Sequence, residues 1–119
     1  MRLLCLYKPG RPERPSTPQE MEAMGRLVEE AMKAGWLLST EGCLASAHGA
    51  RVRLWDGRFT VTDGPFIETK EVVGGFAIIQ VASKPEAIER TQYFLQAAGG
   101  GETEIRQLYA APAAASRTE

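Results

Sequence analysis

The residues best able to do chemistry in this chain lie in Thr62-Asp63-Gly64-Pro65-Phe66 and in the charged tract Glu68-Thr69-Lys70-Glu71 that follows it. Asp63 could serve as a general base or accept a ligand's hydrogen bond, and a rigid Gly-Pro turn beside it would hold its direction. Lys70 could pair with Asp63 or Glu71, setting a carboxylate's pKa, or steady a developing oxyanion. The same residues also support a plainer reading. Proline fixes its own φ and restricts the residue before it, and Asp63 can cap the resulting turn through backbone N–H groups. Glu68, Lys70 and Glu71 are then a solvated face, and the sequence leaves both readings open.

Four residues are candidates for ligand binding: Tyr7, Phe66, Glu71 and Arg106. Tyr7 ends an apolar run near the start and Arg106 lies in the last extended run. If their strands are neighbours, the two could bind a small anion together, with interface packing as the alternative. His48 is the single histidine, in Ser46-Ala47-His48-Gly49, and reads as exposed. One histidine without clustered cysteines or carboxylates gives no transition-metal signature. Gly74-Gly75 lacks the flanking pattern of a phosphate loop and fits a bulge or a close backbone approach. Cys5 and Cys43 have no metal or redox spacing and read as buried free thiols. No cofactor is expected.

These candidates need elements to hold them. Residues 2–7 (RLLCLY) make a short apolar run suited to a central strand. Thr17-Pro18-x-Glu20 is a capping box with proline at N1, followed by Met21, Met24, Leu27 or Val28, Ala31 and Met32 as an apolar stripe that Gly35 ends. Trp36 to Ala45 reads as extended, interrupted at Thr40-Glu41-Gly42. Arg51 to Trp55 and Arg58 to Thr62 alternate about Asp56-Gly57, which predicts a type I′ hairpin with Leu54 facing Phe59 and Val52 facing Val61. Phe76 to Val81 is a nearly continuous apolar strand. Ser83-x-x-Glu86 opens a second helix, with Ala87, Ile88, Thr91, Phe94, Leu95 and Ala98 inward, and Gly99-Gly100-Gly101 closes it. Glu104 to Tyr109 is the last strand, and the tail from Ala110 reads as frayed.

Without the hairpin the order is strand, helix, strand, strand, helix, strand. That predicts a ferredoxin-like antiparallel sheet with both helices on one face. The other face then needs a cover, and a closed two-fold homodimer through it is the simplest solution.

The composition suits one globular domain: 119 residues, 44% hydrophobic and 24% charged. A formal net charge of −1 supplies no general field for nucleic acid or anionic membrane. No run approaches the length of a membrane span and no secretory signal is evident, so a cytoplasmic location is expected.

The run Val61-Thr-Asp-Gly-Pro-Phe-Ile-Glu-Thr-Lys-Glu71 with Gly74-Gly75-Phe76 resembles the signature of the DGPF group of YCII-related proteins. The Arg-x-Trp-Asp-Gly stretch before it and Glu104-Ile-Arg106 near the end share the likeness, which covers residues 1 to about 109. The resemblance implies a dimeric α+β barrel of ferredoxin-like subunits. Many such proteins are encoded beside extracytoplasmic-function sigma factors. A few relatives resemble enzymes that eliminate halide from hydroxylated aromatics with a histidine–aspartate pair, whose histidine lies near the first strand or helix. Leu4 to Pro9 contains no histidine. Two functions follow as expectations. The first is a small-molecule-binding or regulatory module, linked to sigma-factor regulation. The alternative is a cofactor-independent lyase or isomerase acting on a small aromatic substrate, with Asp63 as acid–base and Lys70 or Arg106 beside the oxyanion.

Overall fold

The computed structural model describes residues 1–10, 16–44, 46–64 and 73–110. Strands β1 (Arg2–Lys8), β2 (Leu37–Gly42), β5 (Gly75–Gln80) and β6 (Glu102–Gln107) form one antiparallel sheet in the order β2-β5-β1-β6. Helices α1 (Pro18–Ala34) and α2 (Lys84–Ala98) lie over one face, and strands β3 (Ala50–Trp55) and β4 (Arg58–Asp63) pair separately as a hairpin. This is the ferredoxin-like arrangement expected, with the sheet left open rather than closed into a barrel. No helix among the described residues is long and apolar enough to cross a membrane.

Local chemistry accounts for the helix ends. Thr17 Oγ1 accepts from the Glu20 N–H at 3.1 Å while Glu20 Oε1 accepts from the Thr17 N–H at 3.0 Å, a complete capping box. At α2, Ser83 Oγ accepts from the Glu86 N–H at 3.3 Å, but Glu86 turns to the Ala82 N–H instead, at 2.9 Å. Half of the expected second box is therefore present. Each helix ends on a left-handed glycine, Gly35 or Gly99.

The hairpin has the predicted register, with Val52 opposite Val61 and Leu54 opposite Phe59. Asp56 (φ 52°) and Gly57 (φ 75°) supply the positive φ angles that a type I′ turn demands. All twelve strand residues of this hairpin are exposed, including Phe59 at 73%. Such a projection is consistent with a radius of gyration of 16.5 Å, where a compact chain of this length would show about 13.5 Å.

Several expectations change. β2 runs without a break through Thr40-Glu41-Gly42, and its irregularity falls between Leu37 and Ser39. As an edge strand it tolerates an exposed glutamate and glycine. Met21, Met32 and Ile88 are exposed rather than inward. The faces that turn to the sheet run through Val28 and Ala31 on α1 and through Ala87, Thr91 and Phe94 on α2; Met32 and Ile88 fall roughly a quarter turn off them, whereas Met21 is in line with Val28 but lies in the first turn of α1. Cys5 is buried, as expected, but Cys43 is exposed just beyond β2.

The core is thin. Its buried apolar members are Leu3, Cys5, Ala31, Leu37, Ile79, Val81 and Ala87, and no large side chain among the described residues is completely buried. The helices stand off the middle of the sheet, and the larger residues between them face a space.

Candidate functional site

That space is a cavity of about 820 Å³ between the two helices and the helix-facing side of the sheet. Alternation along the strands decides what reaches it. Leu3, Cys5 and Tyr7 of β1 point toward the helices, whereas Leu4, Leu6 and Lys8 point to the open face. Ring contact confirms the direction for Tyr7, whose centroid lies 5.0 Å from that of Phe94 on α2, edge to face. The Tyr7 hydroxyl donates to the Gly100 carbonyl at 3.1 Å.

The walls are largely apolar and aromatic, from Met24, Leu27, Val28, Trp36, Ala77 and Phe94. Arg90 lies over the Trp36 ring, with its guanidinium carbon 4.5 Å from the centroid. Glu86, one turn earlier, accepts from Arg90 Nη2 at 3.2 Å and so holds the guanidinium from outside. Burial pushes the Cys5 thiol up from its ordinary pKa, against a hydrogen bond to the Thr91 side chain that lowers it. A mostly apolar chamber with a few fixed polar groups is suited to retaining a small organic molecule.

The described lining differs in exposure between the two ends of the cavity. Tyr7 pairs with Gly75 and with Thr103, and near that end Gly10, Glu41, Gly42, Gly100 and Gly101 are exposed lining residues. At the far end Leu3 pairs with Ile79, and Leu37 and Ile79 are buried beside Trp36 and Arg90. Gly75 serves the close approach expected of it, since a Cβ there would lie 2.7 Å from the Glu41 carbonyl oxygen of the neighbouring strand.

The sequence-predicted residues are distributed differently. Asp63 is exposed at the end of β4, opposite Ala50, and is not among the lining residues. The strand exit is tightly packed all the same. Gly64 donates to the Gly49 carbonyl at 2.9 Å, and a Cβ on it would collide with the Ser46 carbonyl oxygen. Phe66, Lys70 and Glu71 lie outside the described residues. Tyr7 lines the cavity. Arg106 does not, because it pairs with Leu4 and therefore points to the open face, where it donates to Glu104. Tyr7 and Arg106 are thus on neighbouring strands but on opposite sides of the sheet, and no joint anion site forms. His48 ends a short 3-10 turn over Ser46–His48 and is exposed. Among the described residues, no three His, Cys, Asp or Glu side chains are grouped to hold a metal ion.

Trp36, Arg90 and Thr103 were not singled out by their sequence context. One signal was available for Arg90: it falls between Ala87 and Phe94 on the inward stripe of α2, where a cation interrupts an apolar series.

Fold and site together define a ferredoxin-like α+β domain with a cavity between its helices and its sheet. The chain belongs to the YCII-related domain family, whose family model matches residues 1–109. Among solved structures it is similar to 5-chloro-2-hydroxyhydroquinone dehydrochlorinase (TftG) from Burkholderia phenoliruptrix AC1100, in complex with 2,5-dihydroxybenzoquinone. That likeness has 14% sequence identity and a TM-score of 0.44, and covers 92% of this chain and 94% of the other. No curated protein sequence matches the chain.

Proposed function

We propose that this protein is a small-molecule-binding module whose ligand occupies the cavity between α1, α2 and the sheet. The observation that carries the reading is the cavity itself, about 820 Å³ in a domain of this size, walled by aromatic and aliphatic side chains. A regulatory link to a sigma factor is supported by the DGPF resemblance alone. The acid–base alternative draws no support from the lining, because Asp63 and Arg106 both lie outside it. Binding is the reading that the geometry favours.

The test uses Trp36 as reporter in a Trp55→Phe background, since Trp55 is exposed on the hairpin. A panel of small aromatic acids and phenols is titrated while fluorescence is recorded. At least one member should bind saturably, and filling the cavity with Ala77→Phe or Val28→Trp should abolish that binding. Saturation that survives both filled variants, or a panel with no binder, refutes the reading.

The proposal includes a homodimer through the open sheet face, in the manner of a dimeric α+β barrel. Its support is a row of half-exposed apolar residues on that face, Leu4 and Leu6 of β1 beside Ile78 and Phe76 of β5, which neither helix covers. Two free thiols suit a cytoplasmic setting.

A further inference from the structure

The hairpin stands apart from the rest of the fold. Among the described residues, neither β3 nor β4 lies along a helix or along another strand of the sheet. Val52 and Leu54 stand opposite Val61 and Phe59 on one face, and these four side chains are 54–73% exposed. Asp63 is at the base of that face, opposite Ala50. The other face carries Arg51, Arg53, Trp55, Arg58, Thr60 and Thr62. A two-stranded hairpin is marginal in water unless one of its faces packs on something. Here the apolar face can be buried while the three arginines stay hydrated, which suits docking on a protein surface.

The open sheet face falls short of a stable dimer by itself. Its four strands of six or seven residues present about 20 by 20 Å, roughly 400 Å². A standard interface buries about 800 Å² on each partner. The hairpin has surface of the kind that is missing. One face of two six-residue strands adds roughly 200 Å². In a closed two-fold pair each protomer lends its own hairpin and receives its partner's, so the gain doubles. A formal net charge of −1 leaves little repulsion between copies.

We infer that the hairpin is an arm that clasps a second copy of this chain, with Val52, Leu54, Phe59 and Val61 buried against the partner and the arginines left in water. This assignment rests on the homodimer reading and adds the segment that completes the interface. It also couples the order of the hairpin to assembly, because the arm gains its packing only in the dimer.

The experiment measures the dimer dissociation constant by sedimentation equilibrium across a concentration series. Phe59→Glu should raise it about a hundredfold or more, since one substitution alters both arms of the pair. Thr60→Glu, which places the same charge on the opposite face of the same strand, should leave it within about twofold. Hydrogen exchange read by mass spectrometry follows the unaltered protein above and below that constant. Amides of Ala50–Trp55 and Arg58–Asp63 should exchange about tenfold or more slowly in the dimer, a readout that needs no variant. A dissociation constant unmoved by Phe59→Glu, or raised equally by Thr60→Glu, overturns the arm while the sheet-face dimer stands. Hairpin amides equally protected in monomer and dimer do the same. A protein that is monomeric throughout the micromolar range overturns both.

Discussion

Lys8 donates to Glu104 across the β1–β6 ladder at 3.2 Å, and Arg106, two residues along the same strand as Glu104, reaches its other carboxylate oxygen at 2.6 Å. The two cations clasp one acid on the open face of the sheet. Hydrogen bonds from Arg106 first, and then from Lys8, hold the Glu104 carboxyl below its ordinary pKa. A carboxylate lowered by folding stabilises the native state above its unfolded pKa, about 4.3, and that contribution is lost as pH falls through the lower folded value. Urea midpoints measured from pH 7 to pH 3 should therefore decline, and Glu104→Gln should flatten the acid limb of the curve. An unchanged acid limb in the variant would remove Glu104 as a cause.

The two thiols should differ sharply in reactivity. Cys43 is exposed, whereas Cys5 is buried under α2 and its pKa is raised by that burial. Native iodoacetamide labelling at mild alkaline pH should modify one cysteine quickly, and mass spectrometry should map it to Cys43. Cys5 should react at a comparable rate only in denaturant.

Gly64 should be intolerant of any side chain. Its backbone lies so close to the Ser46 carbonyl that a methyl group has no room, and the same N–H closes the hairpin base on Gly49. Gly64→Ala should destabilise the protein by about 1–3 kcal/mol, the usual range for overpacking. A denaturation midpoint equal to that of the parent would show that the loop yields freely.

The open sheet face should govern association. Sedimentation at micromolar concentration should report a dimer, and Ile78→Glu, which places a charge amid Leu4, Leu6 and Phe76, should report a monomer that keeps its circular dichroism spectrum. A dimer that persists in this variant would move the interface elsewhere, and the exposed hairpin residues Leu54 and Phe59 would be the next to test.

Removing the first helix cap should have a moderate, local effect. Thr17→Ala removes the hydroxyl that accepts from the Glu20 N–H, while the backbone N–H that donates to Glu20 Oε1 stays, and should cost about 0.5–2 kcal/mol. Thermal denaturation would measure it.

The sequence by itself determined what depends on neighbours along the chain. Thr17 to Glu20 announces the start of α1, Asp56-Gly57 sets a hairpin whose register follows from alternation, and the order of strands and helices implies a one-sided sheet. These features rest on periodicity, capping and turn chemistry, which act within a few residues. Tertiary structure decided which faces meet. Tyr7 and Arg106 looked like partners because their strands are adjacent, yet the pairing of Tyr7 with Thr103 and of Leu4 with Arg106 sends them to opposite sides. Asp63 carries the most site-like context in the sequence, but β4 ends in the open, away from the cavity. Arg90, Trp36 and Thr103 come from α2, the entry to β2, and β6, and they line one chamber only because two helices stand off the middle of the sheet. No local pattern records that stand-off, because it is a property of packing between segments far apart in the chain.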